Sequence, residues 1–183
     1  MIKNGKLLLK LAKETVLGHL TGSAPDFFKT KELFSDQQGV FVTIKKNNTL
    51  RGCIGFPVPL YPLWQATMKA SLAAAFQDPR FPPITEEELP ELKFEVSVLS
   101  VPTYVKVDNP EDYFKKIKVG KDGLILEKNF HSGLLLPQVP GEFNWDIKEF
   151  LEQLSMKAGL SRNAWKESDS KIYKFQAEIL EEK

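Results

Sequence analysis

Two β-rich runs separated by a pair of asparagines do most to limit what this chain can become. Residues 39–44 and 50–56 carry the Val, Phe, Thr and Ile side chains that suit strands, and Asn47-Asn48 between them tolerates the positive φ of a tight turn. An antiparallel hairpin is expected, with Cys53 opposite Val42 if that turn alone sets the register. Pairing of this kind needs further strands and a covering layer, and the remaining sequence supplies both.

The segment Leu92 to Val98 alternates, with Leu92, Phe94, Val96 and Val98 on one side and Lys93, Glu95 and Ser97 on the other. Tyr173, Phe175, Ala177 and Ile179 alternate in a last strand. Apolar runs at 124–126 and 134–136 lie beside Asp122-Gly123 and His131-Ser132-Gly133, which read as turns.

Helical signals fall between the strands. Apolar residues at 8, 9, 12, 16, 17 and 20 line one face of a first helix. Gly22-Ser23-Ala24-Pro25 ends it, and residues 27–35 suit a short helix. The stripe Leu60, Trp64, Met68, Leu72, Phe76 predicts a second long helix that Pro62 begins and Pro79 stops. Thr85 with Glu88 has the spacing of a capping box, as does Asp146 with Glu149 before Ile147, Phe150, Leu151 and Leu154. Asn109-Pro110-Glu111-Asp112 opens another helix, and Gly159 closes the one after Asp146. No βαβ rhythm is sustained, so the expected class is α+β, a mainly antiparallel sheet flanked by helices.

The chain has 183 residues, enough for one domain or a domain with a smaller lobe, and 42% of them are hydrophobic, enough for a core. The lone cysteine, Cys53, rules out an intramolecular disulfide, and with only two histidines, His19 and His131, a structural zinc site has too few ligands. A net charge of +1 gives no basic excess for duplex DNA. Lys10, Lys13, Glu14 and His19 interrupt the apolar run near the N-terminus, so neither a membrane span nor a signal peptide is expected there. The cytoplasm is the expected location. Phosphate-loop, dinucleotide, metalloprotease, nucleophile-elbow and EF-hand patterns do not occur.

Leu50-Arg51-Gly52-Cys53-Ile54-Gly55 is the string with the most chemistry in it. On a regular strand Arg51, Cys53 and Gly55 share a face, Gly55 leaves that face bare, and Gly52 lets another backbone approach the other face. A guanidinium two residues from a thiol would lower its pKa, which suits a nucleophile or a ligand clamp. The competing reading is a buried, inert cysteine whose apolar neighbours raise its pKa. Arg80, in Asp78-Pro79-Arg80-Phe81-Pro82-Pro83, is either an anion binder at a rim or half of a turn-holding pair with Asp78. Glu95 can orient Arg51 or take a proton if its strand lies beside that of Cys53. His131 and His19 read as surface residues. Trp64 reads as core and Trp145 as a staple on the helix that follows it.

The string at 50–55 resembles the AMMECR domain family. The resemblance continues in order through residues 78–83, Thr85-Glu86-Glu87-Glu88-Leu89-Pro90, Val96-Ser97-Val98-Leu99, Gly120 to Gly123, residues 133–139 and Trp145-Asp146. Many relatives carry His where this chain has Asp122, so a role for that His is not carried over. The resemblance implies an α+β fold of a larger lobe holding both termini and a smaller inserted lobe, with the cysteine string near the cleft between them. It also implies Memo-like and radical-SAM partner proteins.

Two readings follow. One is an enzyme or substrate-binding subunit acting on a small or nucleotide-like substrate, with Cys53 and Glu95 catalytic and Arg51, Gly52, Gly55 and Arg80 in binding. The other is a non-catalytic module for RNA, a peptide or a partner protein. The sequence does not identify a cofactor.

Overall fold

A computed structural model describes residues 2–182. Its elements form two compact units, one made of the chain up to Leu99 together with the stretch from Glu178 onward, the other of Ser100–Ala177.

The first unit is a four-stranded sheet with helices on one face. The hairpin forms as β1 (Val40–Lys46) and β2 (Thr49–Phe56). Asn47 and Asn48 take the left-handed conformation, φ 52° and 60°, that closes a two-residue turn compatible with strand twist. The alternating segment forms β3 (Leu92–Leu99), and the C-terminal residues form β8 (Ala177–Glu181). Their order is β2-β1-β3-β8, with β1 antiparallel to both β2 and β3. The inward residues Val40, Val42, Ile44, Phe94, Val96 and Val98 are buried against α1 (Gly5–Thr21) and α3 (Leu63–Phe76). A short α2 (Phe28–Leu33) lies between α1 and β1.

The face of α3 that enters the core differs from the expected stripe. Leu60 precedes the helix and is exposed, while Trp64, Met68, Leu72 and Phe76 are only partly buried. The fully buried positions are Leu63, Ala66, Thr67, Ala70, Ser71, Ala73, Ala74 and Ala75. Small side chains let the helix axis come close to the sheet. The larger ones flank the contact, with Trp64 stacked on Phe27 at 5.3 Å. On α1 the expected residues Leu8, Leu9, Ala12 and Val16 are buried, but Leu17 is exposed and Leu11 takes an inward place.

The second unit holds the sheet β4-β7-β5-β6, built from β4 (Thr103–Tyr104), β5 (Gly123–Lys128), β6 (His131–Leu135) and β7 (Lys171–Phe175). Phe150, Leu151 and Leu154 of α6 (Ile147–Lys157) pack on it together with the fully buried Trp165. Asp146 caps α6 by accepting the Glu149 N–H at 2.8 Å. Two shorter helices, α4 (Tyr113–Lys116) and α5 (Val139–Glu142), complete it.

Two further sequence expectations are corrected. His131-Ser132-Gly133 is not a turn but the start of β6, because Asn129, at φ 53°, makes the turn two residues earlier. The last alternating run is not one strand. It divides at Gln176, whose N–H donates to the Ser100 hydroxyl, and β7 and β8 belong to different sheets.

Candidate functional site

Register decides which side chains meet around Cys53. Between Lys45↔Leu50 and Ile44↔Gly52 the pairing slips by one residue, leaving Arg51 as the extra residue of a β-bulge. The expected pairing of Cys53 with Val42 is therefore wrong. Cys53 lies opposite Thr43, and across β1 from Thr43 lies Glu95. A one-residue slip exchanges the two faces of a strand, so the bulge moves the thiol from an apolar neighbour to a polar one.

The resulting row runs Cys53–Thr43–Glu95 on the face of the sheet turned away from α1 and α3. The Thr43 hydroxyl donates to Cys53 Sγ at 3.2 Å, and Lys45 Nζ donates to Glu95 Oε2 at 2.8 Å. Cys53, Thr43, Lys45 and Glu95 are all half-buried. Glu95 does not orient Arg51, since β1 separates their strands and its ion pair is with Lys45.

Arg51 is committed elsewhere. Its Nε and Nη2 donate to the two carboxylate oxygens of Glu88 at 3.0 and 2.9 Å, Nη1 donates to the Pro82 carbonyl at 2.9 Å, and Nη2 also reaches the Pro83 carbonyl at 3.4 Å. A guanidinium fork on a carboxylate is the geometry that charge-assisted pairing favours. Glu88 also receives Lys46 Nζ at 3.4 Å and the Thr85 backbone N–H at 3.2 Å. The Arg51 contact holds its carboxyl far down, from an ordinary 4.5 to about 2. The sequence signal for Glu88 was its place in the capping box, which explains the Thr85 bond but gives no hint of Arg51.

Arg80 and Asp78 form the second clamp. Asp78 is buried, with 4% of its surface exposed, and takes Arg80 Nε at 2.9 Å and Nη2 at 2.7 Å. The same pair grips the backbone of Cys53: its N–H donates to Asp78 Oδ2 at 2.9 Å, and its carbonyl accepts from Arg80 Nη2 at 3.2 Å. These bonds keep the Asp78 carboxyl well below the usual carboxylate range.

The thiol responds to this setting. Burial pushes the Cys53 pKa up, and the Thr43 hydrogen bond and the Arg80 charge only partly oppose that. The guanidinium acting on the thiol is Arg80's rather than Arg51's, and the net direction is opposite to the lowering expected from sequence.

The two glycines differ. A Cβ on Gly52 would lie 2.1 Å from the Ala74 carbonyl oxygen, so this residue lets β2 and α3 touch through their backbones. Gly55 does not leave its face bare, because the Phe41 ring covers it, 2.4 Å from where a Cβ would sit.

His19 is exposed on α1 with its ring 4.5 Å from Phe76, and His131 in the second unit has Nδ1 3.2 Å from the Ala158 carbonyl. Asp122 has a local structural role, accepting the Lys118 N–H at 2.9 Å. Among the described residues no group of three or more His, Cys, Asp or Glu is arranged to hold a metal ion, and no helix is long and apolar enough to cross a membrane.

Comparison with known proteins gives a consistent set of relatives. The family model described as AMMECR1 matches residues 9–180. A protein of Thermococcus onnurineus is 48% identical over 186 aligned positions, covering 97% of this chain and 90% of its own length. One from Methanocaldococcus jannaschii is 43% identical and covers 99% and 91%. The crystal structure of an uncharacterized protein from Pyrococcus horikoshii superposes with a TM-score of 0.89 at 48% identity, covering 98% of this chain and 91% of that one.

Proposed function

The chain belongs to the AMMECR1 family, and from that premise we propose that it acts as a binding subunit whose contact surface is the Cys53–Thr43–Glu95–Lys45 row. The ligand is a small polar molecule, with nucleotide-like molecules included. The Memo-like and radical-SAM proteins implied by the family resemblance are the partners to which it presents that ligand. Cys53 serves as a neutral thiol that hydrogen-bonds, and Glu95 with Lys45 supplies paired charge for orientation.

One observation carries this reading over a cysteine nucleophile. Both arginines near the thiol are already paired with carboxylates, Arg51 with Glu88 and Arg80 with Asp78, and the one charge that reaches the thiol, that of Arg80, only partly offsets the burial that raises its pKa. A nucleophilic cysteine needs an electropositive surrounding or an adjacent base. Here the hydrogen bond to sulfur comes from a neutral hydroxyl, and burial favours the protonated form.

The experiment is a small-molecule pull-down from lysate with the wild-type chain, Cys53→Ala and Glu95→Gln. Binding that is weakened but retained in Cys53→Ala and lost in Glu95→Gln supports a binding subunit. A covalent adduct on Cys53 in the wild type would replace this reading with the catalytic one.

A further inference from the structure

Three side chains of β1 share the face that carries the thiol, and their chemistry changes in order along the strand. Phe41, Thr43 and Lys45 alternate with the buried Val40, Val42 and Ile44, so they stand on the side turned away from α1 and α3. On β3 the residues directly opposite are Ser97, Glu95 and Lys93. Two residues of a strand span about 7 Å, so this face runs from a phenyl ring to a pair of lysines over about 14 Å. Phe41 is half-buried, and its ring leans across β2 onto Gly55, where a Cβ would lie 2.4 Å from it. The middle of the face holds the Thr43 hydroxyl and Glu95, whose Oε2 takes Lys45 Nζ at 2.8 Å. At the far end Lys93 lies opposite Lys45. Glu95 and Glu181 offset the Lys45 charge, whereas Lys93 is exposed and makes no ion pair among the described residues. Like charges directly opposite on neighbouring strands repel, and an anion between them relieves that repulsion.

We propose that this face binds a nucleoside monophosphate, with the base stacked on Phe41, the sugar hydroxyls donating to Glu95 Oε1 and the phosphate between Lys93 and Lys45. The proposal rests on the binding-subunit reading and adds to it a ligand class and two contact residues, Phe41 and Lys93. A ring, a hydroxyl-bearing middle and a phosphate follow one another in such a ligand as a ring, a carboxylate and two ammonium groups do on the sheet. Stacking on a phenyl ring accepts any base, because every base has a π-face. A carboxylate is an established acceptor for ribose hydroxyls. Lysine meets a phosphate as a point charge on a flexible stem and needs no fork geometry. The commitment of Arg51 and Arg80 to Glu88 and Asp78 therefore leaves this end of the face unaffected.

The test is equilibrium dialysis of the full chain against AMP, GMP, CMP and UMP, against the matching nucleosides and against inorganic phosphate. At least one monophosphate should bind. Its nucleoside and phosphate alone should each bind about tenfold more weakly or worse, since each fills one end of the face. Lys93→Ala should weaken the monophosphate about tenfold and leave the nucleoside unchanged. Phe41→Ala should weaken both about tenfold or more. Lys93 is exposed, so its replacement leaves the fold intact and reads the phosphate end even if Phe41→Ala does not fold. Phe41→Leu, which keeps apolar bulk without a π-face, then reads the ring end. Binding of no monophosphate, monophosphate binding indifferent to Lys93→Ala, or phosphate alone binding as tightly as the monophosphate overturns the proposal. The lysate pull-down with Glu95→Gln separates the two failures. Capture of another molecule that depends on Glu95 overturns this ligand class alone, and no such capture overturns the binding reading with it.

Discussion

The carboxylate of Asp78 accepts the backbone N–H of Cys53 at 2.9 Å, joining the residue just beyond α3 to the edge of the sheet. The thiol-bearing strand is thus positioned through its main chain, and its side chain is left to Thr43. The clamps on either side of Cys53 are ion pairs, which makes the region's stability depend on charge.

Glu88→Gln should lower stability by about 2 kcal/mol near neutral pH, the usual loss when a hydrogen bond to a charged group is broken in a half-buried site. Urea unfolding of the two proteins checks this, and an unchanged midpoint would show that the Arg51–Glu88 fork is idle.

Acid should destabilise the protein in a predictable window. The folded pKa of Glu88 is depressed from 4.5 to about 2, so its contribution is fully present above 4.5 and is lost as pH falls toward 2. Asp78 is also depressed, so its contribution persists to still more acidic pH. Stability measured against pH should therefore fall on acidification through this range, and Glu88→Gln should flatten the upper part of the slope. An identical slope in the variant would contradict the assignment.

Gly52→Ala should destabilise by about 2 kcal/mol or more, in the range of overpacking a fitted interior. The obstacle is the Ala74 backbone oxygen 2.1 Å from the new carbon, which cannot rotate away as a side chain would. A lowered melting temperature checks it, and a Tm equal to wild type would mean that β2 and α3 part easily.

Alkylation of Cys53 by iodoacetamide should follow a titration centred above the ordinary thiol value. Thr43→Val removes a hydrogen bond that lowers that pKa, and Arg80→Ala removes a charge that does the same, so both should move the titration further up. A downward move in either variant would mean that burial is not what governs the thiol.

Much of the fold is legible in the sequence. The Asn47-Asn48 hairpin, the alternation from Leu92 and the Asp146 cap all rest on local rules linking neighbours in sequence to backbone shape. The α3 core face is not legible, because a four-residue period of large residues has the pattern of a core face, while the contact that forms uses small residues, alanines above all, that admit a close backbone. The division of the last alternating run into β7 and β8 is not legible either, because nothing in a continuous alternation marks where a chain passes from one sheet to another.

At the site, sequence alone determined which groups were available: one thiol, guanidiniums at Arg51 and Arg80 and carboxylates at Asp78 and Glu88 within the family strings, and a carboxylate at Glu95 on the alternating strand. Tertiary structure decided who meets whom. A bulge at Arg51 shifts the register by one residue, and because side chains on a strand alternate, that single step puts Thr43 instead of Val42 beside Cys53. The partners of both arginines lie 2 and 37 residues away, and the longer of those separations is set by sheet packing, which no local pattern encodes.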